Sequence, residues 1–109
     1  MVKLWIWKPY TLTIKRTYFD AILSGEKKQE FREIKPTTKN WYCEFNEKGK
    51  LIGPKQYDTL MIYHGYEKGR DWLEVEVTSA VIDYDEITYN LGEILNKKVV
   101  AEKAVSVTD

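Results

Sequence analysis

The sequence predicts a fold of the α+β class that is mainly β, a small closed or nearly closed barrel with one early helix. The chain has 109 residues, enough for one hydrophobic core and therefore for a single domain over residues 1–109. Several segments alternate apolar and polar residues with the period of two that strands show, and one early segment has helical spacing. Strands that follow one another without intervening helices favour a barrel over a βαβ sheet.

The chain is expected to begin with two strands and a helix. Alternation of apolar and polar residues predicts strands over residues 2–7 and 10–16. Thr17 is suited to cap the helix that follows, whose apolar residues recur at helical spacing. Gly25 comes just past this apolar stripe and is expected to end the helix, because glycine adopts positive φ without a Cβ penalty.

The later strands are separated by turns that contain glycine and charged residues. On the strand after the central turn, Leu73, Val75 and Val77 are expected to face the core. Gly92 is expected to follow the last strand, and residues 99–107 fit a short helix, an extra strand or a loose tail equally well. The later strands are predicted over residues 41–45, 51–52, 59–65, 72–83 and 87–91, the first two as a hairpin.

Composition excludes several classes of protein. Hydrophobic residues make up 43% and charged residues 31% of the chain, which argues against a disordered or fibrous protein. The apolar runs fall far short of the ~20 residues that cross a bilayer, and the start lacks a signal-peptide core, so a cytoplasmic protein without membrane contact is expected. Cys43 and His64 are the only residues of their types, so neither a disulfide, a metal nor another cofactor is predicted.

Charge is segregated along the chain although the net charge is zero. Residues 1–70 hold 14 Lys/Arg and 8 Asp/Glu, a balance of +6, and residues 71–109 hold 3 and 9, a balance of −6. If the first part supplies one face of the fold, that face is basic and suited to a polyanion such as RNA. If both parts interleave, their electrostatic fields mix, and the sequence leaves both arrangements open.

A polar cluster follows the predicted helix. Lys27 lies where the helix gives way to a strand, and Glu30 and Arg32 are two residues apart, so they project from one strand face. Lys27 and Arg32 are suited to phosphate or carbonyl oxygens, and Glu30 to an exocyclic amine or a ribose hydroxyl. In the structural alternative, Glu30 and Arg32 only neutralise each other on an exposed strand and Lys27 is solvated.

The segment that holds Gly25, Lys27, Glu30 and Arg32 resembles the G-x-K-x-x-E-x-R signature of ASCH domains, and all four positions are filled. The order of the surrounding segments is similar to that family over about residues 10–96. The resemblance implies a PUA-like β-barrel with a cleft beside the helix. It also implies an association with RNA, RNA modification or translation.

One branch of the ASCH family is an amidohydrolase that deacetylates N4-acetylcytidine with a lysine, a threonine and a glutamate. The resemblance places Lys27 at the lysine position, but Glu30 occupies the threonine position. A carboxylate stabilises the ammonium form, whereas a lysine base or nucleophile must be neutral. We therefore expect a module that binds RNA or a nucleotide. The alternative is an amidohydrolase acting on a modified nucleoside, with Lys27 as nucleophile or base and Glu30 as acid/base.

Further residues are expected to contribute to an RNA site. Lys15, Arg16 and Lys28 lie close to the motif in sequence and would add electrostatic attraction. Trp41 and Tyr66 lie next to predicted turns, where aromatic rings can stack on bases.

Three other observations bear on function. His64 is interpreted as a hydrogen-bonded strand residue in preference to a catalytic base. Cys43 is interpreted as a semi-buried strand residue in preference to a nucleophile. Trp5 and Trp7 share one face of the first predicted strand, which supports a third hypothesis, a protein-interaction domain.

Overall fold

The computed structural model of the protein describes residues 8–65 and 69–100. The strand predicted over residues 2–7, and with it the Trp5/Trp7 face, lies outside the described residues, as do Tyr66 and residues 101–107 of the open C-terminal prediction. The elements in chain order are β1 (Pro9–Ile14), α1 (Arg16–Ser24), β2 (Gln29–Glu33), α2 (Lys39–Tyr42), β3 (Cys43–Phe45), β4 (Leu51–Pro54), β5 (Thr59–His64), β6 (Trp72–Asp83) and β7 (Glu86–Lys98).

Strands dominate the fold, with 54% of the described residues in strands and 14% in helices. Five strands form one mixed sheet in the order β1-β5-β6-β7-β2, in which only β1 and β5 run parallel. Strands β3 and β4 form a separate hairpin. The prediction of a mainly β fold with an early helix is confirmed. Within the described residues the outer strands β1 and β2 are not paired with each other, so no hydrogen-bonded closed barrel is present.

Helix α1 connects the two outer strands of the sheet. Its buried face consists of Phe19 and Ile22, and its end at Gly25 is confirmed: the glycine has φ 88°, and its N–H donates to the C=O of Ile22 over 3.1 Å. The predicted cap at Thr17 is wrong. The N-cap position belongs to Lys15, whose side chain makes no capping hydrogen bond. The helix begins early because β1 ends at Ile14, which leaves one extended residue between strand and helix.

The hairpin of β3 and β4 begins later than predicted. Trp41 and Tyr42 belong to α2 and not to a strand, which begins at Cys43. Two interactions explain the helical turn. The hydroxyl of Thr38 accepts from the N–H of Lys35 over 2.9 Å, which closes the turn before the helix, and Tyr42 is buried with 4% exposure in the core. Tertiary packing of Tyr42 therefore outweighs the strand preference of the aromatic pair.

The long hairpin of β6 and β7 carries most of the core. Leu73 and Val75 are buried and Val77 packs against the core, as predicted. The predicted end of the last strand at Gly92 is wrong, because β7 continues to Lys98. The register changes between Val75 and Val77, so the glycine lies in a β-bulge, where a Cβ atom would collide with the carboxylate of Glu76. Bulges bend a strand and increase its twist, which lets such long strands curve around the core.

Buried apolar residues from the five-stranded sheet, α1, α2 and β3 form one core: Leu12, Ile14, Phe19, Ile22, Tyr42, Cys43, Leu60, Ile62, Leu73, Val75, Ile87, Tyr89 and Leu91. In the part of the chain that the structure describes, neither helix has the length and apolar content that crossing a membrane requires.

Candidate functional site

A cavity of about 510 Å³ lies between the two outer strands of the sheet. We call it the seam cleft. Its lining comes from β1, α1, β2 and the end of β5, so strands that stand at opposite ends of the sheet order share one cavity. The sheet therefore curls until its outer edges face the same space. The lining residues are Thr13, Ile14, Lys15, Tyr18, Glu30, Phe31, Arg32, His64 and Gly65.

Glu30 is the buried acid of the seam cleft. Its position on β2 pairs with Tyr89 on β7, and directly opposed residues project from the same face of an antiparallel pair. Both side chains are accordingly buried, with 6% exposure for Glu30 and 0% for Tyr89. A buried carboxylate requires partners of opposite charge. Lys27 Nζ lies 3.6 Å from Oε1 and Arg32 Nε lies 3.2 Å from Oε2 of Glu30.

Lys27 is held by three side chains. In addition to the ion pair with Glu30, its Nζ lies 5.6 Å from the centre of the Tyr18 ring and 5.1 Å from that of Phe31. Aromatic faces and a carboxylate both attract an ammonium group. These contacts anchor the Lys27 side chain beside Glu30.

Arg32 contacts Glu30 without using its full hydrogen-bonding capacity. Its Nε is within ion-pair distance of the carboxylate, but the buried Nε–H makes no aligned hydrogen bond within the described residues. The guanidinium carries further donors in a planar fork, and the residue lines the seam cleft. Arg32 therefore combines a charge held in place by Glu30 with donors that suit an oxyanion.

His64 stands at the end of β5 and lines the same cavity. Its Nδ1 lies 3.3 Å from the C=O of Ile14. Because a carbonyl oxygen can only accept, the ring donates in this contact through its Nδ1–H. The interpretation of His64 as a hydrogen-bonded strand residue is confirmed, and the structure adds that the ring faces the cleft.

Four tyrosines pack together beside Glu30. The rings of Tyr10 and Tyr57 stack at 4.8 Å, and Tyr42 meets Tyr10 edge-on at 5.5 Å. Burial raises the pKa of Tyr89 and of Tyr10 well above the usual value for a phenol. The Tyr89 hydroxyl is buried and has no hydrogen-bond partner in the described structure. The phenols of Tyr10 and Tyr89 therefore stay protonated at neutral pH.

The predicted site residues fall into two groups. Three of these residues line the seam cleft, namely Lys15, Glu30 and Arg32. Lys27 forms an ion pair with Glu30. Of the other predicted residues that the structure describes, Arg16, Lys28 and Trp41 do not line the cleft. Lys28 lines a second cavity of about 370 Å³, to which Lys27 also contributes.

Arg16 is occupied by contacts that stabilise the fold. Its Nη1 donates to the carboxylate of the buried Asp71 over 2.8 Å, and its Nε lies 3.1 Å from Asp20 on the next helical turn. Its guanidinium also lies 5.0 Å from the centre of the Phe19 ring. Trp41 is 52% exposed but does not line the seam cleft. Tyr66 lies outside the described residues.

Sequence reasoning missed several residues of the cleft. Tyr18 fits the apolar stripe of the helix, yet it is 50% exposed and lines the cavity. Phe31 stands between Glu30 and Arg32 and is 45% exposed. A large aromatic residue between two charged ones, opposite the buried face of a strand, is the signal that could have identified Phe31. Thr13 has no such signal, because its place depends on how the sheet curls.

Among residues 8–65 and 69–100, no three His, Cys, Asp or Glu side chains are grouped as metal ligands would be. Comparison of the chain with protein-family models and with curated proteins gave no match.

Proposed function

We propose that the seam cleft binds a nucleotide unit, either free or as part of RNA. The observation that carries the proposal is the buried Glu30, held by Lys27 and Arg32, at the wall of a cavity with exposed aromatic side chains. The cavity volume of about 510 Å³ falls within the range of small-molecule sites. A nucleotide combines the three features that this lining suits: an anionic group, a polar sugar and a flat base.

Charge favours an anionic ligand. Lys15 and Arg32 line the cleft and Lys27 contacts Glu30 at its wall, so three positive charges accompany one negative charge. Lys27 and Arg32 are held in position by their contacts with Glu30, so little side-chain entropy is lost when they meet a phosphate. Glu30 also remains able to accept from a ribose hydroxyl or an exocyclic amine.

The aromatic residues favour a base as the flat part of the ligand. Tyr18 and Phe31 are about half exposed and both line the cleft. Unpaired bases are commonly bound by stacking on such rings. A purely structural ion pair would need neither the exposed rings nor the cavity.

The proposal includes membership of the ASCH family and a PUA-like barrel as the fold type. Two features support it. Gly25 ends the helix in the left-handed conformation and leads into the strand of Glu30 and Arg32. The open sheet curls so that β1 and β2 enclose a cleft beside α1.

Hydrolysis of a modified nucleoside is the weaker candidate. Lys27 and Glu30 are in contact at the cleft, as a lysine-dependent amidohydrolase would need. However, the amino group of Lys27 is already engaged by a carboxylate and two aromatic rings, whereas a lysine base or nucleophile must be neutral and free to reach the substrate. Incubation with N4-acetylcytidine tests this candidate. Formation of cytidine that disappears in Lys27→Ala would replace binding by catalysis as the function.

The binding proposal is tested by titrating the protein with the four ribonucleoside 5′-monophosphates and with a tetranucleotide RNA. We expect at least one to bind, with affinity falling several-fold between about 50 and about 200 mM salt. Equal affinity for a monophosphate and the RNA would identify a free nucleotide as sufficient. Much tighter RNA binding would identify a strand as the ligand.

A double variant tests the residues. Lys27→Ala combined with Arg32→Ala should abolish the measurable binding, because both cations face the anionic group. The matched control is Lys48→Ala combined with Lys50→Ala, which removes the same charge from the exposed turn between β3 and β4. Binding that is independent of salt, or that survives the first double variant as well as the second, would refute the proposal.

A further inference from the structure

The hydrogen bonds of the inner strands determine to which side the N–H and C=O groups of the outer strands point. Just before β5, the C=O of Asp58 accepts from the N–H of Val77, and at the end of β5 the N–H of His64 donates to the C=O of Asp71. These two positions are an even number of residues apart. Because successive main-chain groups of a strand point to opposite sides, the even positions of β5 face β6 and the odd positions face β1.

On β1 the even positions therefore bond to β5. In a parallel pair, each bonded residue lies between two bonded residues of the neighbouring strand. The odd positions of β5 thus engage Tyr10, Leu12 and Ile14, and the N–H and C=O groups of Thr11 and Thr13 point away from β5. Pro9 is another odd position of β1, so its main chain also points away from β5. Proline is accepted there because its missing N–H removes no bond of the sheet.

On β2 the main-chain groups divide in the same way. The C=O of Lys28 accepts from the N–H of Leu91 over 2.9 Å, and the N–H of Ile34 donates to the C=O of Asp85. The even positions therefore bond to β7. The N–H and C=O of Phe31, which lies between them, point away from the sheet on the opposite side from β7.

Thr13 and Phe31 both line the seam cleft. Within residues 8–65 and 69–100 no strand pairs with the outer edge of β1 or β2, so each residue offers one main-chain donor and one main-chain acceptor on the edge that bounds this cavity. We propose that these four groups read the polar edge of the bound base, an inference that rests on the proposed function. Lys15, Lys27 and Arg32 then hold the phosphate, and the two strand edges select the base.

The chemistry of the four groups favours a base over a phosphate at this place. A phosphate can only accept hydrogen bonds, so it would leave both carbonyl groups unpaired. The edge of a base carries donors and acceptors side by side, as amine or ring N–H next to ring nitrogen or carbonyl oxygen. The edge of a base can therefore pair with the N–H and the C=O groups at the same time. This matters because a polar group that loses its water without gaining a partner lowers the binding free energy.

The inference is tested with Thr13→Pro, which removes the outward-pointing N–H without removing a bond of the sheet. The probes are the four ribonucleoside 5′-monophosphates. For the one that wild type binds most tightly, we expect Thr13→Pro to weaken binding by about tenfold, as for loss of one buried hydrogen bond.

Thr11→Pro is the matched control, since it places proline at an outward-pointing position of the same strand that does not line the cleft. It should bind within about threefold of wild type. Circular dichroism and thermal melting show whether both proline variants fold. If Thr13→Pro does not fold, the amide signals of wild type decide: those of Thr13 and Phe31 should shift on addition of the monophosphate, and that of Thr11 should not.

The outcomes separate the two proposals. If no monophosphate and no RNA binds to wild type, the proposed function fails and this inference falls with it. If a monophosphate binds, but Thr13→Pro and Thr11→Pro bind equally or the amide signals of Thr13 and Phe31 stay in place, the proposed function stands. In that case the reading of the base by the strand edges is refuted.

Discussion

At the scale of single residues, the seam cleft depends on one buried acid. Glu30 has 6% exposure, and it contacts Lys27 and Arg32, whose side chains are 21% and 28% exposed. Its effect is to hold two cations at the wall of a cavity. A carboxylate in this position stabilises the arrangement only while both partners remain, since a buried charge without a partner is costly.

Glu30→Gln should lower the free energy of unfolding by about 1–3 kcal/mol, because it leaves two partly buried cations without a counter-charge. The matched control is Glu33→Gln on the same strand. Glu33 pairs with Lys35 over 3.8 Å, and both side chains are more than half exposed, so its loss should cost less than about 0.5 kcal/mol. Urea unfolding measures both variants. Equal effects would show that Glu30 makes no special contribution to the cluster.

The buried hydroxyl of Tyr89 leads to a prediction of opposite sign. It has no hydrogen-bond partner within the described residues, so Tyr89→Phe should raise the free energy of unfolding by about 1 kcal/mol. Tyr57→Phe is the control. Its hydroxyl donates to the C=O of Trp41 over 2.6 Å, and its removal should lower stability by about 1 kcal/mol. Thermal melting of both variants checks the signs, and destabilisation by Tyr89→Phe would contradict the prediction.

At the scale of elements, the turn from α1 into β2 positions the motif. Gly25 ends the helix, and four residues later β2 begins with Gln29. The N–H of Lys27 donates to the C=O of Ala21 over 2.9 Å, which ties this connection to the last turn of the helix. Lys27 therefore projects from a turn with defined geometry, close enough to β2 for contact with Glu30.

Gly25→Ala should lower the free energy of unfolding by about 1 kcal/mol, since the cost of positive φ falls on any residue with a Cβ atom. Nothing lies within 4 Å of the position that the Cβ would take, so a clash adds nothing. Gly53→Ala is the control, because it also has open space around it but does not have positive φ. Chemical denaturation of both variants checks this. A loss of stability at Gly53 equal to that at Gly25 would contradict the explanation by φ.

At the scale of the whole molecule, the curl of the sheet creates the seam cleft. The outer strands β1 and β2 stand at opposite ends of the sheet order and still bound one cavity. The long strands β6 and β7, with register shifts between Glu74 and Ser79, provide the bend. The tyrosines beside Glu30 come from four different elements or connections, so their packing holds these parts together.

The tyrosine cluster predicts loss of stability in alkali. Burial raises the pKa of Tyr10, Tyr57 and Tyr89. Below about pH 10 these phenols are protonated in both states, and the stability that they provide is complete. Above it, the unfolded chain releases their protons first, so the free energy of unfolding falls as pH rises.

Urea unfolding at several pH values between 8 and 11 measures this effect. The free energy of unfolding should stay level up to about pH 10 and then fall steeply. The variant Tyr89→Phe should show a shallower fall, because it has one buried phenol fewer. A curve that stays level through pH 11 would show that the phenols ionise in the folded protein as easily as in the unfolded chain.

Much of the local structure follows from short-range patterns. The alternation of residues in β6 predicts its bounds, and the position of Gly25 predicts the end of α1. The prediction of element bounds failed where a contact with a residue distant in sequence determined the local structure. Trp41 and Tyr42 became helical because Tyr42 packs into the core, and Gly92 marks a bulge against Glu76 in place of a strand end. Neither partner can be known before the sheet is assembled.

The sequence by itself determined the mainly β class, the early helix and its glycine end, and the common strand face of Glu30 and Arg32. These features depend on neighbours within a few residues, so the periods of two for strands and about 3.6 for helices are sufficient to predict them. The tertiary structure alone decided that Thr13, Tyr18 and His64 join that face around one cleft. It also decided that Arg16 binds Asp71, far along the chain. Such contacts depend on strand order and on the curl of the sheet, which no local pattern specifies.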